Sequence, residues 1–212
     1  MVFAHISQVQ HFAAELTCAA EQEKESRYVQ LADRQRHRLA HGLKRCLLAQ
    51  FFGLSEQQLQ FKNSAYGKPY LVRPEKSDLK FNLSHSGDWV ALALAEEIEV
   101  GIDVESAKIL ADSDWQNLVL LIRHKKDPVI NNLQDFYRLW VMKESVVKAL
   151  GLGLSLTLDK FSISFTGHAG FQAQLANDLG PCCGWYGALP DGTPIALASL
   201  QTAPLSPQII EY

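Results

Sequence analysis

Three carboxylates and a lysine in this sequence have the spacing of a phosphate-handling site. The run Val100-Gly101-Ile102-Asp103-Val104-Glu105 is strand-like. Side chains two apart on a strand share a face, so Asp103 and Glu105 point the same way. The run Trp140-Val141-Met142-Lys143-Glu144-Ser145-Val146-Val147-Lys148 is helix-like. Residues four apart on a helix share a face, which aligns Glu144 with Lys148. An all-oxygen donor set with no nearby thiol suits a hard cation such as Mg²⁺, and a hard cation beside a lysine suits a diphosphate. Taken singly, a Glu–Lys helix pair is ordinary, worth about 0.3–0.5 kcal/mol. Asp103 is not ordinary. It sits between Ile102 and Val104 at the end of an apolar strand, where an acid needs a partner.

The elements that must position these groups can be read from periodicity and punctuation. Val2–Ile6 reads as a strand and Gln8–Cys18 as a helix. Tyr28–Phe52 has helical apolar spacing, with Leu31, Leu39, Leu43, Leu47 and Leu48, and stops at Gly53. Short strands are expected at Leu59–Lys62 and Pro69–Val72 around a turn at Gly67, then at Phe81–Ser84, Trp89–Ala95 and Glu99–Glu105. The second half begins with a helix-prone Trp115–Arg123, interrupted by charges and Pro128. Leu133–Leu150 is the strongest helical pattern and ends at Gly151. Strands follow at Phe161–Phe165, Phe171–Leu175, Gly184–Leu189 and Ile195–Leu200, and the tail after Pro204 reads as loose. Helix then strands, twice, predicts an α+β fold of two similar halves, divided as residues 1–105 and 106–212, with the site between them.

Composition narrows the class. The chain has 212 residues, 47% hydrophobic and 20% charged, which is ordinary for a globular protein of one or two domains. A formal net charge of −3 argues against a nucleic-acid binder. No apolar run is long enough for a membrane span, and no signal peptide precedes the first strand. The four cysteines, Cys18, Cys46, Cys182 and Cys183, have no CxxC spacing and read as reduced thiols of a cytoplasmic protein. Basic residues crowd into one stretch: Lys24, Arg27, Arg34, Arg36, Arg38, Lys44 and Arg45.

Four ordered motifs together carry a resemblance. Tyr66-Gly67-Lys68-Pro69, Phe81-Asn82-Leu83-Ser84-His85-Ser86, Gly101-Ile102-Asp103-Val104-Glu105 and Trp140-x-x-Lys143-Glu144-Ser145-x-x-Lys148 resemble the motifs of the 4′-phosphopantetheinyl transferases, in particular the broad-specificity surfactin type. The resemblance spans most of residues 20–165. It implies two halves in a pseudo-twofold arrangement and a Mg²⁺-dependent transfer of the phosphopantetheine arm of coenzyme A to a serine of an apo acyl or peptidyl carrier protein, releasing 3′,5′-ADP.

Carried over residue by residue, the resemblance makes Asp103, Glu105 and Glu144 the metal ligands. Glu144, or a water that it holds, is the base for the carrier serine, and Lys148 neutralises the leaving phosphate. Ser84, His85, Lys68, Arg36, Lys24 and, less directly, Lys143 are coenzyme A contacts, with Arg36 at the 3′-phosphate. Asn82 is expected to hold a turn, and Trp140 to be a wall. Arg34, Arg38 and Lys44 are read as a solvated helix face. After residue 105 the chain departs from the family pattern. The run Ala111–Arg123 lacks the usual arginine and glutamate where the carrier docks, so its apolar Leu118, Val119, Leu121 and Ile122, beside Arg123, Lys125 and Lys126, become the expected docking surface.

The expected partners are coenzyme A and a carrier protein, with no nucleic acid and no membrane, and the expected state is a monomer, because a chain of two halves completes its own site. Two other readings stay open at this level: a non-catalytic coenzyme A or carrier-binding relative, and a metal-dependent phosphohydrolase with water as acceptor. The pathway that the carrier serves is not legible in the sequence.

Overall fold

A computed structural model describes residues 1–10, 19–75, 77–106 and 110–211, apart from the side chains of Ala19, Ala20 and Asn177. The expected helix Gln8–Cys18 lies mostly outside the described residues. The elements run β1 (Val2–His5), α1 (Ala19–Ser26), α2 (Leu31–Phe52), β2 (Gln60–Asn63), β3 (Pro69–Arg73), β4 (Leu79–Ser86), β5 (Trp89–Glu96), β6 (Val100–Val104), α3 (Asp112–Ile122), α4 (Leu133–Leu150), β7 (Ser162–Thr166), β8 (Gly170–Gln174), β9 (Cys182–Ala188), β10 (Pro194–Ser199) and β11 (Ile210–Glu211).

The mixed α+β architecture expected from the sequence is present as four layers. Leu39, Ala40 and Leu43 of α2 pack on Ala4 and Val90 of a four-stranded sheet ordered β11-β1-β5-β4. The other face of that sheet, with Phe3, Trp89, Ala91 and Ala93, meets Val100, Ile102, Val104, Ile195 and Leu197 of a five-stranded sheet ordered β6-β10-β9-β8-β7. Phe136, Val141, Met142 and Val146 of α4 cover the outer side of the second sheet, together with Ala196 and Ala198. Each sheet is thus buried on both faces where a helix backs it, which explains the near-continuous apolar runs in β5 and β10.

Local signals account for the two long helices. Both end in a left-handed glycine, Gly53 at φ 62° and Gly151 at φ 67°, a conformation that costs glycine no Cβ clash. Asn132 caps α4 by accepting the Asp135 N–H at 2.8 Å, and Asp135 accepts the Asn131 N–H at 3.0 Å. Asp135 in the first turn and Lys148 in the last complement the helix dipole.

Several readings are revised. The tail is not loose: β11 pairs in parallel with β1, Val2 opposite Ile210. Helix α1 was not foreseen, because its residues are mostly polar. Strand β6 forms its ladder with β10, a long-range pairing that the sequence reading did not specify, with Asp103 opposite Ala196. Asn82 does not hold a turn: it lies in mid-strand in β4, where its Oδ1 accepts the Ile102 N–H at 2.8 Å. Lys44 is not on a solvated face: it is 2% exposed, and its ammonium is paired with Glu21 and lies over the Phe61 ring. Of the other two in that group, Arg38 is exposed and paired with Glu25, and Arg34 is half-buried, bonded to the Tyr28 carbonyl.

Candidate active site

The site forms where β4, β6 and α4 meet, and Gly101 permits the meeting. A Cβ at Gly101 would lie 2.1 Å from the Ser145 carbonyl and 2.2 Å from the Ala149 nitrogen, so α4 rests directly on the β6 backbone. Asp103, two residues on, shares that face. Lys148 then reaches Asp103 Oδ1 at 2.5 Å and Ser84 Oγ at 3.0 Å. Ser84 donates to Asp103 Oδ1 at 3.1 Å and accepts the Val104 N–H at 3.3 Å. Three residues from three elements thus share one buried polar knot.

Asp103 is 5% exposed, and its second oxygen, Oδ2, is buried with no partner among the described residues. Burial raises its affinity for a proton, and the Lys148 ammonium opposes that. Glu144, one turn before Lys148, lines the adjacent cavity. Its carboxyl is also raised above the usual carboxylate range, first by burial and then by the negative charges of Asp103 and Glu105. Glu105 is half-buried just beyond β6, its N–H held by the Pro194 carbonyl at 3.2 Å. Glu144 thus lies within electrostatic reach of Asp103 and Glu105. Among the described residues, however, no three His, Cys, Asp or Glu side chains stand at metal-ligand spacing.

The cavity beside this knot measures about 450 Å³. Its walls include Glu144, Val147 and Lys148 of α4, Asn82, the Tyr66–Pro69 turn, and the Gly151–Leu158 segment after α4, including Leu154, Leu156 and Leu158. That last segment was absent from the sequence-derived site. Its Gly151-Leu152-Gly153-Leu154-Ser155-Leu156 run alternates small residues with leucine, and nothing in that alternation marks a cavity wall.

Lys68 and Lys143 are set differently from expectation. The Lys68 stem borders the cavity, but its ammonium binds Glu99 at 2.6 Å and the carbonyls of Val100 (3.1 Å) and Ala149 (2.9 Å). It ties the start of β6 to the end of α4, where a cation also meets the helix dipole. Lys143 is fully buried and is not among the residues that line the cavity. It pairs with Asp127 at 2.7 Å and donates to the carbonyls of Leu158 (2.6 Å) and Phe161 (2.7 Å). Its place in the motif is structural, since an ammonium with three acceptors inside the core has no hydrogen left for a ligand.

A basic corner lies beyond the carboxylates. Arg36 donates to the Gly87 carbonyl at 2.5 Å and to Asp33 at 2.6 Å, which fixes it over the β4–β5 turn. His85 follows Ser84 on β4. Burial, then the neighbouring His41, His37, Arg36 and Lys148 charges, push its pKa down to about 3. Lys24 is exposed in the last turn of α1. The structure therefore brings Asp103, Glu144, Lys148 and Ser84 together, with the neutral His85 and the cations Arg36 and Lys24 adjoining them.

On α3, Leu121 is exposed as expected, together with Leu120. Leu118 and Val119 are half-buried, and Ile122 packs into the core beside Trp115.

Known proteins resemble this chain along most of its length. Residues 6–97 match the family described as 4′-phosphopantetheinyl transferase, N-terminal, and residues 99–198 match the 4′-phosphopantetheinyl transferase superfamily. The boundary between the two falls before β6, in line with the pairing of that strand. The chain is 33% identical over 167 residues to the 4′-phosphopantetheinyl transferase Sfp of Bacillus subtilis (strain 168), covering 76% of this chain and 71% of the relative. It is 32% identical over 142 residues to 4′-phosphopantetheinyl transferase gsp of Aneurinibacillus migulanus, 65% of this chain and 57% of the relative. It is 28% identical over 141 residues to the human L-aminoadipate-semialdehyde dehydrogenase-phosphopantetheinyl transferase, 58% of this chain and 44% of the relative. With both halves matched in order, and a four-layer fold that brings their motifs into one site, the chain belongs to the 4′-phosphopantetheinyl transferase family.

Proposed function

We propose that this chain performs its family's reaction at the Asp103–Ser84–Lys148–Glu144 site: the hydroxyl of a carrier-protein serine attacks the β-phosphorus of coenzyme A, the phosphoanhydride bond breaks, and 3′,5′-ADP leaves. The observation that carries the proposal is the contact of Lys148 with Asp103 and Ser84 at the edge of the cavity that Glu144 lines. Phosphoryl transfer needs positioning and charge stabilisation more than covalent help. Lys148 supplies a positive charge already oriented by two acceptors, so it meets the leaving phosphate without reorganising. Glu144 accepts the serine proton. Burial and the neighbouring Asp103 raise its proton affinity while no cation is bound.

The donor chemistry of Asp103, Glu105 and Glu144 suits a hard divalent cation, although to hold one together their side chains must move, since they do not stand at metal-ligand spacing. Asp103 Oδ2 is an orphaned buried acceptor, and the mutual repulsion of the acids is what such a cation relieves. Mg²⁺ held there would neutralise the diphosphate. Arg36, His85, Ser84 and Lys24 bind the phosphates of coenzyme A, and the cavity between the Tyr66–Pro69 turn and the Gly151–Leu158 segment takes its nucleotide. Lys68 contributes its stem to that wall and holds the wall in place.

The carrier docks on α3, where Leu120 and Leu121 are exposed beside Arg123, Lys125 and Lys126. Exposed apolar groups rimmed by charge mark partner surfaces. We read the enzyme as a monomer, since all its site residues come from one chain, and as cytoplasmic. Cys46, Cys182 and Cys183 are free, which suits a reducing compartment. No helix among the described residues is long and apolar enough to cross a membrane.

Incubation with coenzyme A, Mg²⁺ and an apo carrier protein, followed by intact mass of the carrier, tests the proposal. A carrier heavier by one phosphopantetheine, only with metal present, is the expected result. Release of 3′,5′-ADP with no change in carrier mass would instead make the protein a hydrolase.

A further inference from the structure

The described residues include a histidine that the proposed reaction leaves unused. His37, on α2, is fully buried, and it touches three other rings: His41 at 4.1 Å between centroids, Tyr28 at 5.4 Å and His85 at 6.2 Å. Its Nε2 lies 3.2 Å from the backbone carbonyl of Glu21. A carbonyl can only accept, so Nε2 carries the hydrogen. In the neutral ring, Nδ1 is then a bare acceptor. Nδ1 is buried and has no partner among the described residues. An orphaned acceptor of this kind is costly unless something supplies a proton or a donor.

The surroundings explain why no proton is there at rest. Burial lowers the proton affinity of His37, and Lys24 of α1 lowers it further, against the opposing pull of the Glu21 carbonyl and of the Glu21 and Glu25 carboxylates. On its own helix, Arg36 is adjacent, and His41 is bonded to Glu21, which also binds Lys44 and Arg45. From β4, His85 faces it and is itself held neutral, first by burial and then by the neighbouring His41, His37, Arg36 and Lys148. The corner is short of negative charge, and a phosphate dianion bound there reverses the balance. It would make a protonated His37 favourable and turn Nδ1 from an orphaned acceptor into a donor.

We infer that His37 is a proton-linked contact for the phosphate bound at this corner: when the 3′-phosphate of coenzyme A enters, Nδ1 of His37 takes up one proton from solvent. This rests on the reading that coenzyme A binds with its 3′-phosphate against Arg36 and His85. It adds a linkage, because coenzyme A then binds more weakly as pH rises, by at most about ten-fold per pH unit for one linked proton. At pH 7.5 the free 3′-phosphate is already mostly dianionic, since its second pKa is about 6, so the ligand itself releases little.

Calorimetric binding at pH 7.5, in several buffers of different ionisation enthalpy and with no carrier present, reads the proton directly. The expected result is uptake of a proton, roughly one at most, with coenzyme A and little with dephospho-coenzyme A, which lacks the 3′-phosphate. His37→Gln keeps a donor for the Glu21 carbonyl but cannot titrate. It should abolish the uptake and flatten the pH dependence of coenzyme A affinity while still binding the ligand. Equal uptake for the two ligands on the unmodified protein would overturn the inference without any variant. So would unchanged uptake in His37→Gln. Failure of coenzyme A to bind at all would overturn the coenzyme A reading as well, whereas binding without His37-dependent uptake removes only this inference.

Discussion

Lys148 and Asp103 lie on different elements, 45 residues apart in sequence, yet their charged atoms are 2.5 Å apart, with the Ser84 hydroxyl touching both. The lysine is therefore positioned before any substrate arrives, and its value belongs to the transition state, where the leaving phosphate gains charge. Lys148→Ala should lower kcat more than it raises KM for coenzyme A. Loss of one charge-assisted contact corresponds to about 1.5–3 kcal/mol. Steady-state kinetics decide: a raised KM with kcat intact would make Lys148 a binding residue only.

Glu144 gives a pH prediction with a definite sign. With no cation in the site, its carboxyl is raised by burial and by Asp103, against the pull of Lys148, and further by Glu105. In the metal-free protein Glu144 should therefore titrate above the ordinary glutamate value of about 4.3. Glu105→Gln removes one of the raising charges and should move that midpoint to lower pH, and added Mg²⁺ should lower it in the unmodified protein. NMR titration of the Glu144 carboxyl in both proteins checks it, and a midpoint unmoved by Glu105→Gln would remove Glu105 from the surroundings of Glu144.

Lys143 should behave as a core residue despite its place in the motif. Lys143→Met leaves Asp127 buried and unpaired, a loss of about 3–5 kcal/mol for one partner of a buried pair. Urea unfolding should register that loss. The affinity of the remaining folded protein for coenzyme A should be unchanged, and a selective loss of affinity would contradict the structural assignment.

Gly101→Ala should damage stability and turnover together. The added methyl would press on the Ser145 carbonyl and the Ala149 nitrogen, forcing α4 off β6. Overpacking of this kind costs about 1–3 kcal/mol. Because Lys148 rides on the displaced turn, kcat should fall even at temperatures where the variant is fully folded. Urea midpoints and single-turnover rates on the same preparation separate the two effects.

What was legible in the sequence follows from what is local. Helix α4 was bounded at Leu133 and Leu150 because its cap, period and terminal glycine all lie within the segment. The shared face of Glu144 and Lys148, both of which line the cavity, follows from the helix period alone. Buried ion pairs were not legible. Lys44, Lys143 and the Lys68 ammonium are polar residues whose partners lie far off in sequence: 23 residues for Lys44 and Glu21, and 31 for Lys68 and Glu99. Nothing local distinguishes such a lysine from a solvated one. The same holds for β6, whose alignment with β10 depends on long-range pairing, and for Asn82, whose amide looks like turn chemistry until its acceptor is seen to meet a strand.

The junction between the sheets has a mechanical consequence. Ile102, Val104 and Ser106 each present a backbone N–H to β4, and the acceptors are the side chains of Asn82, Ser84 and Ser86. A ladder of backbone rungs is rigid, because both ends of each rung are fixed to the chain. Here one end of every rung can swivel about a χ1 bond. The seam can therefore give by small side-chain rotations while each amide stays satisfied, and the cleft can tighten on its cargo without unzipping a strand. Amide hydrogen exchange at residues 102, 104 and 106 would report that compliance: slow in the closed seam, and faster by the same factor at all three when the two sheets part.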